Sequence, residues 1–187
     1  MRYKKIAAFV TAAALLLSGC SGLSEKRNLT YTDTLYDTVI SVQILDPASE
    51  EILEGCEKLC KKYDTMFSMT NEESEIYKIN HAGGAAVEVS QDTITLIKKG
   101  IYYSEMTNGA FDITIGAVSP LWDFKSEEPA VPSAETLASA RSHVNYKNII
   151  LKDNTVKLLD PQAAIDVGAI AKGYIADRVK EYLEEEG

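Results

Sequence analysis

The sequence predicts an α+β fold, a mixed sheet with packed helices, on three observations. Residues 35–45 alternate as a half-buried strand does, with β-branched bulk at Val39, Ile40, Val42 and Ile44. Ile52, Leu53, Cys56, Leu59, Cys60, Tyr63, Met66 and Phe67 fall on one face of a helix. Strand-like and helix-like runs then interchange to the last residue with no internal repeat. The 187 residues are 45% hydrophobic and 25% charged, which excludes collagen-like and wholly disordered chains. A net charge of −9 disfavours nucleic acid as the main partner, because a phosphate backbone needs a basic surface.

The first segment reads as an export signal. Arg2, Lys4 and Lys5 precede an apolar run at 6–17 that is too short for a comfortable spanning helix. It ends in Leu17-Ser18-Gly19-Cys20, which resembles the lipobox of bacterial lipoproteins. That resemblance implies a signal peptide at 1–19, a diacylglycerol group on Cys20, and a mature protein lipid-anchored to the cell membrane and facing outside the cytoplasm. Removing 1–19 takes three basic residues and no acidic one. Residues 20–33 read as a tether, small and polar at 21–28, ahead of a domain at 34–187.

After the strand at 35–45, Asp46-Pro47 suits a helix N-cap followed by Pro at the first helical position. The stripe of the long helix that follows is core. Cys56 and Cys60 lie within it, four apart, where a disulfide is geometrically poor and small core residues are the natural reading. A short helix at 74–80 is broken by Gly83-Gly84, and 87–89 forms a short strand. Ser90 caps a second long helix that Asn108-Gly109 closes. Ser133 caps a third helix to about Ser142, and Asp153-Asn154 turns a hairpin between 149–151 and 155–159. A buried strand at 164–167 leads through Gly168 into a last helix bearing Ile170, Tyr174, Ile175, Val179 and Leu183.

Two segments are unlike ordinary core. Thr107-Asn108-Gly109-Ala110-Phe111-Asp112-Ile113-Thr114 combines small residues, which let a ligand approach the backbone, with a carboxylate and a hydroxyl. Ala164-Ile165-Asp166-Val167-Gly168-Ala169-Ile170-Ala171-Lys172-Gly173-Tyr174 delivers Asp166 to the start of a helix whose free N–H groups, with Lys172, suit an anionic, phosphate-bearing ligand. The same residues also fit a small-residue helix start packed on a sheet with Lys172 solvated. Neither G-x-G-x-x-G nor a Walker A pattern is present, so Rossmann and P-loop readings fail.

The two segments, with Phe67-Ser68 and Ser74-Glu75 upstream, resemble the FAD:protein FMN transferase family, also called ApbE-type, from about Leu35 to the end. The resemblance implies an ApbE-type fold and Mg²⁺-dependent cleavage of FAD at its pyrophosphate. The FMN moiety passes to a threonine hydroxyl of a partner flavoprotein and AMP leaves; some members instead hydrolyse FAD. It implies a cofactor-binding set of Tyr36, Thr70, Ala110, Phe111, Asp112, Asp166 and Lys172 for FAD, and a metal contact from the Ala169 backbone carbonyl. Thr70 stands where many members carry an aromatic that stacks on the isoalloxazine ring, so stacking comes from elsewhere or the flavin is held less tightly. No residue receives a catalytic role.

In the family the side-chain metal ligands, an Asp and a Thr or Ser, come from a C-terminal half that would begin shortly after Gly187. The chain is therefore expected to be an N-terminal fragment lacking that half. The implied acceptors are subunits of sodium-translocating redox pumps or extracellular flavin-bearing reductases. Competing readings are a non-catalytic or FAD-hydrolysing flavin-binding envelope lipoprotein, and a structural envelope lipoprotein in which the small-residue turn is only packing.

Overall fold

The computed structural model describes residues 28–45, 49–122, 126–127 and 130–186. The export segment, Cys20 and Asp46-Pro47 lie outside the described residues. The chain opens with an antiparallel hairpin, β1 (Leu29–Leu35) and β2 (Thr38–Ile44), in register from Leu29 opposite Ile44 to Leu35 opposite Thr38. Two sequence expectations change here. The single strand expected at 35–45 is the second arm of this hairpin, and Leu29 to Asp33, placed in the tether, make up most of the first. The turn residues Tyr36 and Asp37 both have positive φ, 56° and 55°, as a tight two-residue hairpin turn requires. Tyr-Asp lacks the Asn-Gly or Asp-Gly signal, and so the turn is not visible in the sequence.

Helix α1 (Glu50–Phe67) follows from Ser49, whose backbone is extended, with Glu50 and Glu51 placed favourably in its first turn. Helix α2 (Glu75–Asn80) is capped by the Ser74 hydroxyl, which accepts from the amides of Ile76 and Tyr77 and donates to the Met66 carbonyl at 2.7 Å. After β3 (Val87–Glu88), Ser90 caps α3 (Gln91–Met106) as its sequence position predicts. The chain leaves α3 through Gly109, at φ +80°, whose amide donates to the Ser104 carbonyl at 2.8 Å. Helix α4 (Ala134–Arg141) starts at Ser133, and β4 (Ile149–Lys152) and β5 (Thr155–Leu158) form the expected hairpin around Asp153-Asn154. Strands β3, β5 and β4 make an antiparallel sheet in that order, and the described chain ends in α5 (Gly168–Glu186).

The stretch expected as a strand at 164–167 buries Ile165 and Val167 but joins no ladder. It forms one parallel bridge, between Ala164 and Ile115. Its backbone is satisfied otherwise: the Asp166 amide donates to the Ile113 carbonyl at 2.7 Å, and the Asn80 side chain clasps both the amide and the carbonyl of Ile165, at 2.7 and 2.9 Å.

The core lies between α1, α3, α5 and the three-stranded sheet, around the fully buried Ile76, Ile94, Leu96, Ile97, Ile113 and Ile165. Cys56 and Cys60 are free and buried in it, in keeping with their reading as small core residues. Tyr63 stacks on Phe67 with centroids 5.4 Å apart, and Tyr174 of α5 meets both rings edge-on at 5.9 Å, joining α1 to α5. Asp92, in the first turn of α3, ties that helix to the same two, accepting from Lys62 of α1 at 2.8 Å and from the Tyr174 hydroxyl of α5 at 2.9 Å. Partial burial pushes its carboxyl up, but these bonds prevail and hold it below the ordinary 3.8. No helix among the described residues is long and apolar enough to cross a membrane.

Two outcomes follow from this packing. A Cβ at Gly116 would sit 2.6 Å from the Ala164 carbonyl oxygen, so Gly116→Ala must push two backbones apart. The expected cost is about 1–3 kcal/mol, read as a lower thermal midpoint. Because the folded pKa of Asp92 is lowered, its contribution is complete above its unfolded pKa and is lost as pH falls through the folded one. Acid titration of stability should therefore be shallower below pH 3.8 in Asp92→Asn than in the parent chain.

Candidate functional site

The turn out of α3 brings its small residues beside the start of α5. Between them opens a cleft of about 890 Å³, walled on its third side by the end of α4 and the segment that follows it. Asn108, Gly109, Ala110, Phe111 and Asp112 form one wall, Asp166 and Ala169 the second, and Arg141, Val144, Asn145, Tyr146 and Lys147 the third. Two segments far apart in sequence can share this space because Gly116 has no side chain to hold their backbones apart.

Asp112 organises the first wall. One carboxylate oxygen accepts from the Thr114 amide at 2.8 Å and the Thr114 hydroxyl at 2.6 Å, and the other accepts from the Tyr146 amide at 2.9 Å. The fully buried Thr114 hydroxyl in turn accepts from the Asn145 amide at 2.8 Å. Asp112 and Thr114 therefore fasten the third wall to the first. Asp166 does similar work on its side. One oxygen accepts from the Gly168 amide at 2.9 Å, and the other from the Ser119 hydroxyl at 3.0 Å. It thus occupies an amide at the mouth of α5 with its own carboxylate.

Of the sequence-predicted site residues, Ala110, Phe111, Asp112, Asp166 and Ala169 converge on this cleft. Lys172 lies one turn into α5, exposed and outside the lining. Tyr36 sits in the β1–β2 turn, its amide donating to Asp64 at 2.7 Å and its hydroxyl to the Cys60 carbonyl. Burial pushes that phenol far above its usual range, keeping it a donor. Thr70 is exposed in the loop after α1, where its amide donates to the Ser68 hydroxyl at 3.2 Å. Neither Tyr36 nor Thr70 lines the cleft.

The whole third wall escaped the sequence reading. Arg141, Asn145, Tyr146 and Lys147 carry no recognisable spacing, and their one local signal is a hairpin following at once. They reach the cleft because His143 anchors their segment from behind, through Nδ1 to the Asp160 carboxylate at 2.7 Å. The Gln162 amide first, and then this ring, hold the Asp160 carboxyl below the usual carboxylate range.

Chemically, the cleft offers small-residue backbone, two aromatic side chains and two cations, which suits a ligand with planar rings and anionic groups. Among the described residues, no cluster of three or more His, Cys, Asp or Glu is placed to hold a metal ion. The Ala169 carbonyl is a single donor where Mg²⁺ takes about six.

Comparison with known proteins bears on the same segments. The ApbE family model matches residues 36–187. An FAD:protein FMN transferase of Klebsiella pneumoniae is 31% identical over 88% of this chain and 52% of its own length. One of Vibrio cholerae is 29% identical over 94% of this chain and 54% of its own length. The crystal structure of the ApbE protein of Thermotoga maritima superposes with a TM-score of 0.77 at 33% identity, covering 83% of this chain and 52% of that one. The chain spans about half the length of the curated relatives it matches.

If Asp112 is the fastener of the cleft, Asp112→Ala should cost about 1–3 kcal/mol, since it strands the buried Thr114 hydroxyl and the amides of Thr114 and Tyr146. Urea unfolding should report that loss, and Asp112→Asn should recover part of it.

Proposed function

The chain belongs to the ApbE family, and from that premise we propose that it binds FAD in the cleft between Ala110, Asp166 and Tyr146, as part of an FAD:protein FMN transferase. The observation that carries this reading is the convergence of both family-like segments on one cleft that also presents Arg141 and Lys147. In the proposed reaction a threonine hydroxyl of the acceptor attacks the FMN phosphorus of FAD. A phosphoester bond forms as the pyrophosphate bond breaks, the hydroxyl proton passes to solvent, and AMP leaves. A cation at the departing phosphate offsets the charge that develops there.

This chain's residues serve that chemistry by binding and orienting. Asp112 and Thr114 hold the small-residue wall at a fixed distance from the Tyr146 segment. Asp166 shapes the start of α5. The family resemblance supports Mg²⁺ as a requirement of the whole transferase, with Ala169 contributing one carbonyl and the side-chain ligands lying outside the described residues. The lipobox supports a lipid on Cys20 and action at the outer face of the cell membrane. An acceptor reached there is a redox-pump subunit or an extracellular reductase.

A second reading is favoured by one observation, the lack of a metal-binding cluster among the described residues. On that reading the chain binds flavin, or hydrolyses FAD, without modifying an acceptor. Incubation with FAD, Mg²⁺ and a threonine-bearing acceptor domain separates the two. Transfer predicts a flavin-sized mass gain on the acceptor together with AMP, both abolished by EDTA. FAD retained or hydrolysed with an unmodified acceptor supports the second reading, and a chain that fails to bind FAD overturns both.

A further inference from the structure

Resting on the flavin reading above, we propose that Tyr146 supplies the aromatic face on which one planar ring of FAD stacks, and that Arg141 and Lys147 hold its pyrophosphate. Thr70, which stands where many family members carry the stacking aromatic, is neither aromatic nor part of the cleft. Tyr146 is both, half-buried on the third wall. A Cβ built at Gly109 would approach its ring edge to 4.0 Å, so the ring lies over the left-handed turn of the first wall.

The Tyr146 backbone is held there independently of its side chain. Its amide is bonded to Asp112 and the preceding amide to Thr114. A ring on a pinned backbone loses little freedom when it stacks, and base–aromatic stacking tolerates any planar heterocycle.

The charge around it points the same way. Arg141 and Lys147 are the cations among the residues lining the cleft, and both are exposed. Neither forms an ion pair among the described residues. The Lys147 ammonium lies 5.9 Å from the Tyr146 ring centroid, so the cation and the ring face are presented together. The carboxylates of the cleft, Asp112 and Asp166, are both engaged by donors. Two cations with no ion pair among the described residues, next to an aromatic face, suit a nucleotide, an anion joined to a flat ring. In FAD that ring is isoalloxazine or adenine.

The test measures binding of FAD, FMN, riboflavin and ADP to the chain and its variants by calorimetry and flavin fluorescence, with circular dichroism to verify folding. Tyr146→Ala should weaken FAD about tenfold and remove the quenching that stacking causes, while Tyr146→Phe restores both. Arg141→Gln with Lys147→Gln should weaken FAD by a similar factor and flatten its salt dependence, leaving riboflavin unaffected. These two positions are exposed, so they test the proposal even where Tyr146→Ala folds poorly. Loss of FMN and riboflavin in Tyr146→Ala assigns the ring to isoalloxazine, and loss of ADP alone assigns it to adenine. FAD bound with unchanged affinity by all these variants overturns this assignment alone. A parent chain that binds no FAD overturns the function proposed above as well.

Discussion

The hydrogen bond from the Asp166 amide to the Ile113 carbonyl is the link on which the site depends. It can form only because Gly116 leaves room for the Ala164 carbonyl, where a Cβ would stand at 2.6 Å. Through this contact the segment leaving α3 and the segment entering α5 become neighbours. The cleft is the space that remains above them. Buried Ile113 and Ile165 anchor the contact from below, and the Asn80 side chain replaces the strand that would otherwise pair with Ile165.

The polar residues of the cleft are first of all builders. Asp112, Thr114 and Asp166 spend their oxygens on amides and hydroxyls of the walls they join. This arrangement suits the nucleotide site proposed above, because polar atoms that satisfy one another stiffen the walls and leave backbone, rings and cations to face the cleft. Behind the walls, the Tyr63, Phe67 and Tyr174 cluster joins α1 to α5 and so sets where the mouth of α5 points.

Much of the fold was legible in local chemistry. Ser74, Ser90 and Ser133 each start the helix their position announces, Gly109 ends α3, and Asp153-Asn154 turns β4 into β5. The two failures of reading have one cause. The Tyr36-Asp37 turn and the unpaired stretch at 164–167 are held by partners distant in sequence, Asp64 and Cys60 for the first and Asn80 and Ile113 for the second. Periodicity reports which face is buried and is silent about what satisfies the backbone.

The sequence by itself determined the α+β class, most of the helix caps, the family, and the two small-residue segments that carry Ala110, Phe111, Asp112, Asp166 and Ala169. Those features are written in neighbouring residues, where capping, turn geometry and hydrophobic period act over a few positions. Only the tertiary structure decided that the two segments share one cleft, that Tyr36, Thr70 and Lys172 lie outside its lining, and that Arg141, Tyr146 and Lys147 complete it. Membership of a cleft depends on which backbones can approach closely and which amides find a distant carboxylate. Gly116 and Asp112 settle those matters through space, with no mark left in the spacing of residues along the chain.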